Sequence, residues 1–145
     1  MMTVKDVMTT KVLSLRESDS LSVARSLMDM HRIRHIPIVG VEDRFIGLIT
    51  HRDLLGATIS HLADVDPETQ KEIDAGVPIK EVMRSDLHTV DPDDQLIEAA
   101  KTLLNNKYGC LPVVKDGRLV GIITEADFLK LTIELLDALD KKTAS

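Results

Sequence analysis

Apolar residues recur at helical spacing in two stretches, Leu21, Ala24, Leu27 and Met28, and later Leu96, Ala99 and Leu103. Each spacing predicts a helix with one buried face. Ser18, Asp19 and Ser20 precede the first helix, and Asp93 and Asp94 the second. Such side chains cap the unpaired N–H groups of a helix start. Two near-continuous apolar runs follow each helix. They are Ile36-Pro37-Ile38-Val39 and Phe45-Ile46-Gly47-Leu48-Ile49, then Leu111-Pro112-Val113-Val114 and Leu119-Val120-Gly121-Ile122-Ile123. Runs of this kind predict strands covered on both faces. Pro37 and Pro112 cannot donate to a ladder, which places them at a strand start or edge. Turns at 41–44 and 115–118 join the strands, and helices begin at Thr50 and Thr124. Ahead of each capped helix, a turn of helix ending at Met8 or Met83 and a short strand at 12–15 or 87–90 are expected.

The two stretches are copies of one pattern. Val4-Lys5-Asp6-Val7-Met8 matches Ile79-Lys80-Glu81-Val82-Met83 at an offset of 75, which also pairs Asp19 with Asp94 and Pro37 with Pro112. After one extra residue in the first turn the offset is 74, pairing Gly47, Thr50 and Asp53 with Gly121, Thr124 and Asp127. The division expected is repeat 1 over 1–60, an acidic linker over 61–76, and repeat 2 with an extended C-terminal helix over 77–145. The linker is polar, with about one helical turn after Pro67. Each copy reads strand–helix–strand–strand–helix. The fold class is α/β in the wider, α+β sense. A half of about 60 residues buries too little surface to be comfortable alone. Two halves packed sheet to sheet about a pseudo-twofold axis are therefore expected. Residues 131–139 carry more apolar side chains than one copy requires, and would pack on their own domain or on a second subunit.

Composition narrows the function. The 145 residues are 43% hydrophobic but only 2% aromatic, so the core is aliphatic. Stacking of several bases on aromatic platforms is disfavoured. The net charge of −6, with no basic run longer than two residues, argues against nucleic acid as a partner. No run of 18 apolar residues is present, so no membrane span is expected. Without a secretory-type leader, a cytoplasmic location is expected. The single cysteine, Cys110, precludes an intrachain disulfide and reads as a small buried hydrophobe. His31 and His35 are four apart, yet a strand starting near His35 breaks the helix such a metal pair needs. No metal site is expected.

Thr50 with Asp53, and Thr124 with Asp127, carry the clearest chemistry. A buried strand runs into a Thr, and an Asp follows three residues later at a helix start. This is the spacing of a capping box. The usual acidic partner is Glu or Gln, and the shorter Asp would be free to point outward. The same geometry suits a ribose-phosphate. The helix N-terminus and Thr hydroxyl face an anion, and a carboxylate accepts from vicinal hydroxyls. Spacing leaves both readings open.

The ordered set Asp6-Val7-Met8-Thr9 and Glu81-Val82-Met83, the Ile-Pro-Ile-Val and Leu-Pro-Val-Val strands, and both Gly-x-x-Thr-x-x-Asp segments resembles a CBS domain, present twice. The chain is thus similar to a tandem CBS pair, or Bateman module. The resemblance implies a regulatory module that senses adenosine compounds (AMP, ADP, ATP or S-adenosylmethionine), requires no cofactor, and modulates a separate protein. It implies a homodimer and two ligand clefts. One would combine Thr50, Arg52 and Asp53 with Asp86, Leu87, His88, Tyr108 and Gly109. The other would combine Thr124, Ala126 and Asp127 with Lys11, Val12, Leu13, Ile33, Arg34 and His35. The aspartates would hold ribose, and the threonines and nearby cations phosphate. Ile33, Ile36 and Pro37, or Tyr108, Leu111 and Pro112, would form apolar walls. Lys11, Arg34 and His35 give the second cleft a modest preference for an anionic ligand. The alternative is a structural or dimerisation module of the same fold that binds no ligand. An enzyme is not expected, since no Ser-His-Asp, HExxH, P-loop or paired-carboxylate arrangement has a setting.

Overall fold

A computed structural model describes residues 1–59, 66–106 and 109–144. It is a mixed α+β structure with two two-stranded antiparallel sheets. The chain divides into two compact units. One is continuous, Val12–Leu87; the other is composite, formed by Met1–Lys11 with His88–Ser145. The sequence repeats and the compact units therefore cut the chain differently. The segment that opens each repeat folds with the body of the other.

In the continuous unit, the Ser20 side chain accepts a hydrogen bond from the Val23 N–H and starts α1 (Leu21–His31). Asp19 braces the preceding turn by accepting from the Arg16 N–H at 2.7 Å. Leu21, Ala24 and Met28 are buried, as the periodicity requires, and α1 stops at Arg32 in a left-handed conformation. Then come β1 (His35–Val39) and β2 (Phe45–Thr50), paired with a bulge at Ile38/Val39, and α2 (His51–Ile59). The expected strand at 12–15 is reduced to one parallel bridge, Leu15 to Ile38. That bridge explains Pro37, which stands third in β1 and not at its start. Leu15 donates to the Pro37 carbonyl at 3.0 Å and accepts from the Val39 N–H at 2.9 Å. The N–H that proline lacks is never called for. On the far side of β2, Leu48 exchanges two 2.8 Å backbone hydrogen bonds with Arg84.

The expected acidic linker holds a helix, α3 (Pro67–Gly76), capped by the Asp66 side chain on the Thr69 N–H. Residues 60–65 lie outside the described residues. Proline in the first turn and a capping aspartate nucleate α3. Its position against α1 is fixed by a buried charge. Asp74 accepts from Arg25 Nε at 2.8 Å and from Gln70 Nε2 at 2.9 Å. An apolar pattern could not reveal this packing.

The composite unit repeats the plan with α4 (Leu96–Asn106), β3 (Cys110–Lys115), β4 (Arg118–Thr124) and α5 (Glu125–Ala144). Asp94 braces the turn before α4 from the Asp91 N–H, as Asp19 does before α1. Val90 donates to the Pro112 carbonyl at 3.0 Å, so Pro112 is also accommodated inside a strand. The strand expected at 87–90 is again a single bridge, Val90 to Val113. Thr9 exchanges backbone hydrogen bonds of 2.9 and 3.0 Å with Ile122, occupying the place Arg84 takes beside Leu48. The β3–β4 turn has positive φ at Asp116 and Gly117, the backbone that matches the twist of a tight hairpin. Beyond Phe128 and Leu131, which pack on the core, α5 exposes Leu129, Ile133, Leu135, Leu136 and Leu139. No helix among the described residues is long and apolar enough to cross a membrane.

Cys110 is buried, and burial pushes its thiol up to about 12. At pH 8 a thiol reagent should label the folded protein about a hundredfold or more slowly than the urea-unfolded chain. Equal labelling rates would contradict the buried setting.

Candidate functional site

Thr50 ends β2 and Asp53 lies in the first turn of α2. Asp53 Oδ2 accepts from the Thr50 N–H at 3.0 Å and from Thr50 Oγ1 at 2.8 Å. In return, the Asp53 N–H donates to Thr50 Oγ1 at 3.1 Å. In the composite unit Asp127 Oδ2 accepts from the Thr124 N–H at 2.9 Å and from Thr124 Oγ1 at 3.3 Å. Both pairs therefore close a capping box. The expectation that Asp is too short for this is corrected. With Thr at the strand end, the carboxylate needs to span only to the Thr N–H.

The cap uses one oxygen of each carboxylate. Asp53 Oδ1 accepts from Arg84 Nε at 2.9 Å, and Asp127 Oδ1 accepts from Thr9 Oγ1 at 3.1 Å. Thr9 closes the Asp6-Val7-Met8-Thr9 motif but was given no site role, and Arg84 was not named, although the two occupy matching positions after Met8 and Met83. The repeat comparison ended at the shared Met in one copy, and the difference between Arg and Thr concealed the common role. Gly47 and Gly121 allow both contacts. A Cβ at Gly47 would lie 2.6 Å from the Arg84 carbonyl oxygen, and one at Gly121 would lie 2.9 Å from that of Thr9. Only glycine lets these backbones approach so closely.

The remaining expected site residues fall into two sets. The continuous unit gathers Ile33, Arg34, His35, Ile36 and Pro37 beside Thr50. His35 pairs with Thr50, and the His51 N–H donates to the Arg34 carbonyl at 2.8 Å. Exposed Arg52 is on the first turn of α2, and Asp86 and Leu87 follow Arg84 in the same unit. The composite unit holds Thr124, Ala126 and Asp127 with Lys11, which follows Thr9 by two residues. Gly109 precedes Cys110, which pairs with Thr124, and Leu111 and Pro112 continue along β3. Groupings of His88 and Gly109 with Thr50, and of Val12, Leu13, Ile33, Arg34 and His35 with Thr124, join residues of different units and rest on the resemblance alone. Tyr108 lies outside the described residues. Ile36 and Leu111 were expected as ligand-facing walls, but both are 0% exposed within the cores of their own units. Pro37 and Pro112 are likewise buried. Both faces of each strand are covered, so neighbouring residues are buried together, and half-buried Ile33 packs against the same core as Ile36.

The CBS-domain family model matches residues 4–60 and 79–134. Among curated relatives, the chain is 33% identical over 128 residues to a Methanocaldococcus jannaschii protein, of whose length it spans 42%. It is 32% identical to hypoxic response protein 1 of Mycobacterium tuberculosis, covering 90% of this chain and 85% of that one. Among solved structures, a Vibrio cholerae protein named for acetoin utilization matches with TM-score 0.83 at 36% identity, covering 97% of both chains. CBSX2 in complex with AMP matches with TM-score 0.78 at 25% identity, covering 93% of this chain and 98% of that one. The CBS domain pair of the M. jannaschii protein MJ0100, with 5′-methylthioadenosine and S-adenosylmethionine, matches with TM-score 0.75 at 25% identity over 91% and 96%. With the motif present twice, the same capped carboxylate in both copies and family matches over both repeats, the chain belongs to the CBS-domain family as a tandem pair.

Proposed function

We propose that the chain is a regulatory module that binds adenosine compounds at the Thr50–Asp53 and Thr124–Asp127 sites and changes its association with a separate protein in response. The observation that carries this reading is the division of labour within each carboxylate. Oδ2 is committed to the helix cap, while Oδ1 is held by a partner that a ligand hydroxyl can replace. A ribose diol requires such an acceptor, and the capped helix start beside it favours a phosphate. AMP in CBSX2, and 5′-methylthioadenosine and S-adenosylmethionine in the MJ0100 pair, support the ligand class. The module acts without catalysis and as a homodimer. A competing reading, a CBS pair retained for structure, draws on the same bonds, because both carboxylates are satisfied without a ligand.

Thermal-shift titration with AMP, ADP, ATP, NAD and S-adenosylmethionine separates the two. A ligand at a hundred times its Kd adds about 2.7 kcal/mol and raises the melting temperature accordingly. Asp53→Ala and Asp127→Ala each lower the baseline through the lost cap, by about 1 kcal/mol. The quantity to compare is therefore the increment on adding ligand. The double variant should show none. No shift of the parent protein with any of these compounds at millimolar concentration rejects sensing, and an undiminished increment in the double variant rejects the site. An ATP-hydrolysis assay on the parent protein checks the absence of turnover.

A further inference from the structure

The two Oδ1 partners differ in charge. Arg84 brings a guanidinium to Asp53, and its side chain is 58% exposed, so it can swing away without a desolvation cost. Thr9 brings a neutral hydroxyl to Asp127. A diol entering at Asp127 displaces that hydroxyl and leaves the carboxylate its full negative charge. A diol entering at Asp53 displaces a cation, which stays tethered beside the ligand with no anion to meet. A ligand phosphate supplies that anion, and a guanidinium pairs with phosphate in a bidentate manner. The helix starts differ in the same sense. His51 and Arg52 precede Asp53, whereas Glu125 and Ala126 precede Asp127. Asp86 and Lys11, two residues beyond Arg84 and Thr9, carry the reverse signs. The group in direct contact with the carboxylate outweighs them, because Coulomb energy falls with distance.

We infer that Arg84 makes the Asp53 site selective for phosphorylated nucleosides, while Thr9 leaves the Asp127 site to neutral or cationic ones. This rests on the ligand-binding reading above and assigns a charge class to each of its sites. Its sign is opposite to the preference expected when Arg34 and His35 are grouped with Thr124.

Calorimetric titration of the full chain with AMP and with adenosine provides the test, on the parent protein, Arg84→Thr, Arg84→Lys and Thr9→Arg. The substitutions exchange what the two repeats carry at matching positions. They change exposed side chains and leave the backbone pairing with Leu48 and Ile122 in place. In Arg84→Thr, the AMP-to-adenosine affinity ratio at one class of site should fall about five- to tenfold, because AMP loses its cation and adenosine no longer strands one. Arg84→Lys should keep most of the AMP preference. Thr9→Arg should raise the AMP-to-adenosine ratio at the other class by a similar factor. Ratios unchanged in both Arg84→Thr and Thr9→Arg, with binding intact, overturn the charge assignment alone. A parent protein that binds neither compound rejects the ligand-binding reading, and this inference with it.

Discussion

Gly47→Ala is expected to lower the melting temperature by roughly 5–15 °C, from one methyl group. The added Cβ would sit 2.6 Å from the Arg84 carbonyl oxygen and 3.2 Å from Met83 Sδ. The nearer atom is backbone, and it accepts the 2.8 Å hydrogen bond from the Leu48 N–H. Relief requires the bridge segment around Arg84 to move away, which lengthens both bonds of the Leu48–Arg84 pair. Overpacking costs about 1–3 kcal/mol, and each weakened hydrogen bond about 1 kcal/mol. Gly121→Ala is the internal comparison. There the closest atom, at 2.7 Å, is Met8 Sδ, on a flexible side chain that can turn aside, and the Thr9 carbonyl is at 2.9 Å. Its loss should be about half as large. The movement at Gly47 also withdraws Arg84 from Asp53, so nucleotide binding should weaken in step with stability. Calorimetric melting of both variants measures the difference. A Gly47→Ala protein that melts within about 2 °C of the parent shows that the approach of these backbones is not tight.

Arg25→Ala is expected to destabilise the protein by about 2–3 kcal/mol, read as a lower midpoint in urea unfolding. Asp74 is 2% exposed and Arg25 30% exposed on its side chain, so the substitution leaves a buried carboxylate with Gln70 as its remaining neutral donor. The partial exposure of Arg25 keeps the figure below that of a wholly buried pair. Replacing both partners with apolar residues of similar size, Arg25→Met with Asp74→Leu, should recover most of the loss, because no charge is then stranded. If Arg25→Ala unfolds within about 0.5 kcal/mol of the parent, the ion pair does not anchor α3 on α1.

Periodicity and caps disclosed much of this fold. Leu21, Ala24 and Met28 on α1, and Leu96, Ala99 and Leu103 on α4, are the buried positions that the spacing marks. Asp19 and Asp94 were expected among the helix caps; Ser20 caps α1, and the two aspartates brace the preceding turns instead. The Thr–Asp pairs stood out because they recur at one offset, and the offset survived a one-residue insertion. Only the first turn of α3, after Pro67, was expected; its full length and packing were missed because its decisive buried side chain is a carboxylate, which pattern reading assigns to solvent. The roles of Arg84 and of the motif residue Thr9 stayed hidden for a different reason. Comparing repeats aligns residues of like role, whereas Arg84 and Thr9 act on the copy they do not align with. Ile36 and Leu111 were placed at a ligand surface by resemblance, and the inward side of each strand claims them instead.

The exchange of opening segments also imposes an order on the making of the protein. Val12–Leu87 is contiguous, so every partner of its sheet has been synthesised once residue 87 has been added. The first eleven residues wait much longer. Val4, whose side chain is wholly enclosed in the finished structure, donates its N–H to the Asp94 carbonyl, Lys5 donates to that of Pro92, and Thr9 pairs with Ile122. Until that strand has been synthesised, residues 4–9 have no sheet to join. Domains generally fold as units in the order they emerge, and distant pairings form late. The capture of residues 4–9 by β4 and the turn before α4 then follows the closing of the sheet in Val12–Leu87.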